Sequence, residues 1–159
     1  MQIRDFDDRD WDSFWPTFRS VTQAGETFPY DPHWTSDEAK GVWTSPDHVV
    51  VATDGPVVLG SATVGANRPG PGSHVATASF MVAPEARGRG VGRALGVYVV
   101  DWARRQGYAA MQFNAVVETN DPAVHLWESI GFEVIGTVPA AFEHPVHGRV
   151  GLHIMHRVL

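Results

Sequence analysis

The chain has no cysteine, which excludes disulfides, thiolate-ligated metals and a cysteine nucleophile together. Nor does it hold a run near the roughly 18 apolar residues that a membrane-spanning helix needs. The opening Met-Gln-Ile-Arg-Asp-Phe-Asp-Asp-Arg-Asp has no apolar stretch of the kind a signal peptide carries. The expected setting is therefore the cytoplasm, with no membrane as partner. Positive charge is also short: the formal net charge is −6, so the surface as a whole offers nucleic acid no attraction. Any anion site has to be local. No internal repeat and no long linker divides the sequence, and residues 1–159 are expected to form one domain. Core-forming residues are plentiful, at 43% hydrophobic against 19% charged, which speaks for a folded protein and against disorder.

Periodicity and turn chemistry predict the order β-α-α-β-β-β-α-β-α-β-β. Residues 2–6 read as a strand, and 11–22 as a helix with Asp10 as its cap and Pro16 in a first turn or at a kink. Residues 25–34 hold two prolines and read as an ordered loop. Thr35-Ser36-Asp37-Glu38 has capping-box spacing and opens a short helix through Trp43. Strands at 49–53 and 57–64 flank Asp54-Gly55, which predicts a type I′ hairpin turn. A strand over 74–82 leads to a helix over 90–106 that Gly107 ends. A strand at 111–117, a helix from Asp121-Pro122 to near Gly131, and strands at 132–138 and 150–158 complete the chain. The fold class is mixed α/β: a mostly antiparallel twisted sheet of about seven strands flanked by helices, with a parallel crossover at the glycine-rich segment.

That segment, residues 83–96, reads Ala-Pro-Glu-Ala-Arg-Gly-Arg-Gly-Val-Gly-Arg-Ala-Leu-Gly. Gly88, Gly90 and Gly92 let the backbone bend tightly with no side chain holding a ligand away. At a helix start, such a loop aims unpaired N–H groups and the positive end of the helix dipole at one spot. A phosphate fits there, and Arg87, Arg89 and Arg93 add cations around it. The loop lacks the Gly-Lys-Ser/Thr of a nucleoside triphosphatase. Arg93 stands where a dinucleotide fingerprint needs glycine or alanine.

What the loop does match is Arg/Gln-x-x-Gly-x-Gly/Ala, in Arg87-Gly88-Arg89-Gly90-Val91-Gly92. By this motif the chain resembles the GNAT superfamily of acetyl-CoA-dependent N-acetyltransferases, in which these amides hold the coenzyme A pyrophosphate. Residues 120–132, Asn-Asp-Pro-Ala-Val-His-Leu-Trp-Glu-Ser-Ile-Gly-Phe, match the family's Asn-x-x-Ala-x-x-Leu-Tyr-x-x-x-Gly-Phe at Asn120, Ala123, Leu126, Gly131 and Phe132. The resemblance implies that Asn120 bonds the pantetheine arm; read from the residues alone, Asn120 is a helix cap. It further implies that main chain near Met81 and Val82 pairs with pantetheine and steadies the thioester. One position departs: Trp127 stands where many members carry the tyrosine that protonates the leaving thiolate, and an indole N–H donates a hydrogen bond but is no practical acid.

The acceptor half is less marked. On the strand over 111–117, Gln112, Asn114 and Val116 are expected on one face and Met111, Phe113 and Ala115 on the other. The segments around Gly25-Glu26-Thr27-Phe28-Pro29, residues 73–82 and residues 113–120 look like the subgroup holding fungal acetyltransferases of proline analogues. There the equivalent of Asn114 contacts substrate, and a catalytic asparagine aligns with Thr77. A purely structural Asn114, bonding its neighbours, stays open. An ammonium acceptor must lose a proton before attack. Glu26, Glu118, His33, His74, His125 and His144 are candidate bases, with Glu26 first because the resemblance places its loop over the acceptor. His144/His147 and His153/His156 do not make a metal site, since the second pair straddles a strand. Met111, Phe113, Phe132 and the six tryptophans are core by default, while Tyr30, Trp34 and Trp43 are candidate walls of an acceptor pocket. Residues 140–148 are a candidate lid or homodimer contact. The expected activity is direct transfer of acetyl from acetyl-CoA to a small-molecule amine, an amino acid or analogue. A non-catalytic acyl-CoA sensor and a protein or peptide acetyltransferase are the alternatives.

Overall fold

The computed structural model describes residues 1–159. The chain runs β1 (Gln2–Asp5), α1 (Asp10–Ala24), α2 (Ser36–Trp43), β2 (His48–Asp54), β3 (Val57–Ala66), β4 (Val75–Val82), α3 (Val91–Arg105), β5 (Ala110–Val117), α4 (Asp121–Ser129), β6 (Glu133–His144) and β7 (Gly148–Val158). The strands form one seven-stranded sheet in the order β1-β2-β3-β4-β5-β7-β6. Every neighbouring pair is antiparallel except β4–β5. A parallel neighbour requires a crossover, and α3 is that crossover.

Each face of the sheet carries its own core. On one, α3 and α4 bring Val91, Leu95, Val99 and Trp127 against Val50, Ala62, Met111 and Phe113. On the other, Trp11, Phe14 and Phe18 of α1 and Trp43 of α2 pack on Val51, Val58 and Met81. Trp43 is fully buried and its indole N–H donates to Ser61 Oγ at 3.0 Å. It is a core residue and, contrary to expectation, not a wall of the pocket.

Several local details depart from the expectations. Asp10 is the first residue of α1, and Arg9 takes the cap position without a capping side chain. The Asp10 carboxylate instead accepts two bonds of 2.7 Å from Arg4 and one of 2.7 Å from the Asp7 amide. Pro16 lies inside α1. The β2–β3 turn places Gly55 at φ +58, followed by Pro56, and Asp54 is still strand. A proline cannot take positive φ, so this turn has the φ pattern of type II′, and the type I′ expectation falls. β6 extends to His144, so residues expected to form a loop are mostly strand, kinked where Ala140 sits at φ +50. The capping box at Thr35 and Glu38 is present in full.

Close helix packing rests on one glycine. A Cβ on Gly96 of α3 would lie 2.9 Å from the Trp127 ring and 3.0 Å from Ile130. Gly41 of α2, by contrast, faces open space. Gly96→Ala should therefore lose about 1–3 kcal/mol through overpacking, although alanine is the better helix former. Gly41→Ala should gain up to about 1 kcal/mol from helix propensity. Urea unfolding of the two variants tests this contrast, and equal effects would contradict the packing.

The Arg4 hydrogen bonds hold the Asp10 carboxyl below the usual carboxylate range, against the opposing pull of burial. A lowered folded-state pKa gives stability that is present above the unfolded value and lost as pH falls through the folded one. Asp10→Asn should thus cost about 1–2 kcal/mol at neutral pH and nothing at strongly acid pH. Denaturation midpoints of the two proteins, measured against pH, should converge on the acid side.

Candidate functional site

β4 and β5 are registered only at Val75↔Ala110 and Ala76↔Met111. Beyond those pairs the strands part. On its other edge β4 stays paired with β3 from Ala76 to Val82. The Val75 carbonyl and the Ala83 amide both bond the β3 side. N–H and C=O of one strand residue point to the same edge and alternate along the chain. Thr77, Ser79 and Met81 therefore give their main chain to β3, while Ala78, Phe80 and Val82 present theirs to the gap. Phe80, with its main chain open to the gap, was not singled out in the sequence; the ladder alternation identifies it.

At the end of β4 the chain makes a short 3₁₀ turn at Pro84–Ala86 and enters the glycine loop. Gly88 and Gly90 sit at φ +74 and +78, a backbone region costly for most other residues. Gly92 serves packing: a Cβ there would lie 3.3 Å from Leu126 and 3.7 Å from Val82. α3 begins at Val91, and its first amide to find a backbone acceptor is Ala94, bonded to the Gly90 carbonyl at 3.0 Å. The N–H groups of Val91, Gly92 and Arg93 are the unpaired first-turn donors of the helix. Around them, Arg87 is exposed, Arg89 reaches Asp54 at 3.4 Å, and Arg93 donates to Ser129 Oγ at 2.7 Å. Loop and helix start together can hold an anion.

The gap opens into a cavity of about 230 Å³. Phe80, Phe113 and Trp127 form its aromatic wall, with ring centroids 4.6 to 5.8 Å apart. Phe28 and Tyr30 of the α1–α2 loop close it from the opposite side. Thr77, Ser79, Asn114 and Asn120 add uncharged polar groups. Burial pushes the Tyr30 phenol up, offset in part by Ser79, so Tyr30 is a protonated hydrogen-bond donor at neutral pH.

Asn120 caps α4, its Oδ1 accepting from the Ala123 amide at 3.4 Å. Asp121 is the first helical residue. Asn120 also lines the cavity, and its NH₂ makes no hydrogen bond within the chain. Asn114 Nδ2 donates to Asn67 Oδ1 at 2.7 Å, and Asn114 Oδ1 accepts from Gln112 at 2.9 Å. Its partners are side chains, and they tie β5 to the β3–β4 loop. The register of β5 on β7 slips between Phe113 and Val116, and this bulge breaks the expected alternation. Val116 joins Met111 and Phe113 in the α3/α4 core instead of facing the other way.

Glu26 is exposed and precedes Thr27, which lines the cavity. The other candidate bases lie elsewhere. Glu118 accepts from the Gly151 amide, and His144 Nδ1 accepts from the amides of Val146 and His147. His33, His74 and His125 are exposed. No carboxylate, imidazole, ammonium or guanidinium lines the cavity. His153 Nδ1 lies 2.7 Å from Thr137 Oγ1.

Comparison with known proteins gives one consistent answer. The solved structure of a GCN5-related N-acetyltransferase from Kribbella flavida is 58% identical, with TM-score 0.96 over 99% of this chain and 97% of that one. A phosphinothricin acetyltransferase (Pat) from Sinorhizobium meliloti, solved in complex with acetyl-CoA, is 25% identical, with TM-score 0.87 over 99% of this chain and 88% of that one. N-acetyltransferase aca1 of Schizosaccharomyces pombe is 29% identical over 136 residues, and the match takes in 75% of this chain but 65% of that protein's length. Residues 9–132 match the sequence model of the acetyltransferase (GNAT) family. That span contains the glycine loop, the parted strands and the helix behind the aromatic wall, and the chain belongs to this family.

Proposed function

We propose that the chain transfers the acetyl group of acetyl-CoA to the nitrogen of a small-molecule amine, by direct attack in a ternary complex. The observation that carries this reading is the parting of β4 and β5, which joins an anion-binding helix start to an aromatic cavity through a row of open backbone groups. The amides of residues 88–93 would hold the pyrophosphate. Ala78, Phe80 and Val82 would pair with the pantetheine arm, joined by the Asn120 NH₂. A backbone N–H at Phe80 or Val82 would face the carbonyl oxygen as negative charge develops on it. Relatives bearing N-acetyltransferase names, one of them bound to acetyl-CoA, support the donor.

The amine attacks the thioester carbon, the C–N bond forms, the C–S bond breaks, and coenzyme A leaves as thiolate. Trp127 can give that sulfur a hydrogen bond but no proton, so the proton comes from solvent. With no titratable base on the cavity wall, Glu26 would act through water at the rim, beside Thr27. Thr77 and Asn114 would orient the acceptor. The likeness to fungal acetyltransferases of proline analogues rests on Asn114 and Asn120 and is weakened by Thr77 in place of asparagine. The lack of an acid or base on the wall also favours a second reading, a non-catalytic acyl-CoA sensor. Thiol release from acetyl-CoA, screened over amines, amino acids and lysine peptides, separates transfer to small molecules, transfer to proteins, and binding alone.

Gly90→Asp should place a carboxylate against the pyrophosphate, in a backbone region that aspartate tolerates better than most residues. Acetyl-CoA affinity should fall by at least ~10-fold, read by calorimetry on a variant shown to be folded by circular dichroism. Unchanged affinity would remove the loop from the site. Glu26→Gln should lower kcat/KM for the best acceptor by about 10²-fold while acetyl-CoA affinity holds. A variant as active as the parent would leave deprotonation to solvent alone.

A further inference from the structure

We infer that the acceptor site has a second lobe, built around the Asp47 carboxylate and walled by Thr63, Thr77 and Ser79, which seats a cationic group at the far end of the acceptor. The inference rests on the acetyl-transfer reading and names its substrate class, an amine carrying a second, positively charged nitrogen.

Thr77, Ala78 and Ser79 wall the cavity already described and also wall a neighbouring one of about 340 Å³. The neighbour is closed by Asp47, at the entry to β2, and by Thr63 and Gly65 of β3. Thr63 is registered opposite Ser79 and Gly65 opposite Thr77, so these four lie on one face of the sheet. Thr63 is 4% exposed and its Oγ1 has no hydrogen-bond partner. The hydroxyl oxygen is closed off from solvent as the chain stands, and a buried unpaired hydroxyl is unusual; turning toward a polar ligand group in this lobe would satisfy it. Asp47 is held in place: its Oδ2 accepts from the Ala66 amide and the Tyr108 hydroxyl, each at 3.3 Å. A Cβ on Gly65 would lie 3.1 Å from that oxygen and from the Asp47 amide nitrogen, so glycine here lets the carboxylate lie close over the strand. Oδ1 has no partner in the chain and stays available.

Across both lobes, Asp47 is the only charged side chain on the wall, and no guanidinium, ammonium or imidazole is present to receive an acceptor carboxylate. A free amino acid would bring its carboxylate toward Asp47 unpaired, whereas a second ammonium would find both a charge and hydroxyls. The net charge of −6 favours the same choice. Thr77, opposite Gly65, and Phe80, beside Trp127, are three residues apart along β4, or about 10 Å. A flexible chain of about six carbons spans that distance. In the reaction the near nitrogen, neutral, forms the amide bond and loses its proton through water at the rim, coenzyme A departs as thiolate and is protonated by solvent, and the far ammonium keeps its proton throughout.

The test compares 1,6-diaminohexane, 6-aminohexan-1-ol and 6-aminohexanoate, which share a reacting amine and differ in the charge of the far group. With the full chain and acetyl-CoA, kcat/KM should fall in that order, with at least ~10-fold between the first and the last. Asp47→Asn should collapse the diamine's advantage over the amino alcohol. Equal kcat/KM for the three, or an equal loss for all three in Asp47→Asn, would overturn the second lobe and leave acetyl transfer standing. Should none turn over, calorimetry of 1,6-diaminohexane against the coenzyme A complex decides. Binding to the parent and not to Asp47→Asn would keep the lobe while the transfer reading falls, and no binding to either would overturn the lobe.

Discussion

β4 and β5 are held together by two registered pairs and then part, and the parting leaves the inner edge of β4 open and makes room for the cavity. A parallel pair that stayed closed would satisfy the inner edge of β4 with β5, leaving no main-chain groups for a ligand. Where the strands part, Phe80, Phe113 and Trp127 pack on one another at the wall of the gap, and the β5–β7 ladder is irregular between Phe113 and Val116. Open backbone groups inside a protein are costly unless something pairs with them. The fold accepts that cost along one edge only, next to a helix start that is also short of acceptors. The two deficits lie end to end, so one elongated ligand with amide groups in its arm and phosphates at its end can meet both.

Glycine makes the arrangement sterically possible in two different ways. Gly88 and Gly90 supply backbone conformations that bend the loop toward the helix start. Gly92 and Gly96 supply absence of bulk, letting α3 approach Leu126 and Trp127. That close approach presses the Trp127 indole into the gap against Phe80, so the same contact that stabilises the α3/α4 core also shapes the cavity wall. Packing and site geometry are coupled through this one ring.

The glycine loop and the helices around it were legible in the sequence because they are local. A loop, a helix start and the next helix are each coded by neighbouring residues, and spacing alone announces them. The element order was legible for the same reason. The misreadings have specific causes. Pro56 sits inside the β2–β3 turn and sets its type, although Asp54-Gly55 carries the more familiar signal. The β5 bulge depends on pairing with β7, some forty residues downstream, so nothing in 111–117 reveals it. β6 runs on to His144 because Phe142, Glu143 and His144 pair with Val150, Arg149 and Gly148 of β7, past an irregular stretch at residues 139–141. On the acceptor side Asp47, Gly65 and Tyr108, or Asn67 and Asn114, become a unit only in three dimensions. Each alone reads as an ordinary surface residue.

The two halves of the site also differ in what they can tolerate. On the proposed reading, donor recognition would run through amides, which most substitutions leave unchanged, and so it would depend on backbone shape more than on side-chain identity. Acceptor recognition would run through hydroxyls, carboxamides and one carboxylate on the α1/α2 face of the sheet. Those side chains are fixed by contacts outside the donor path: Asp47 by Ala66 and Tyr108, Asn114 by Asn67 and Gln112. On the same reading, a change at any of them would alter what the cavity accepts without disturbing the edge of β4 or the start of α3. Acceptor choice would then be set on one face of the sheet, while the donor would be held at the parted edge and the helix start.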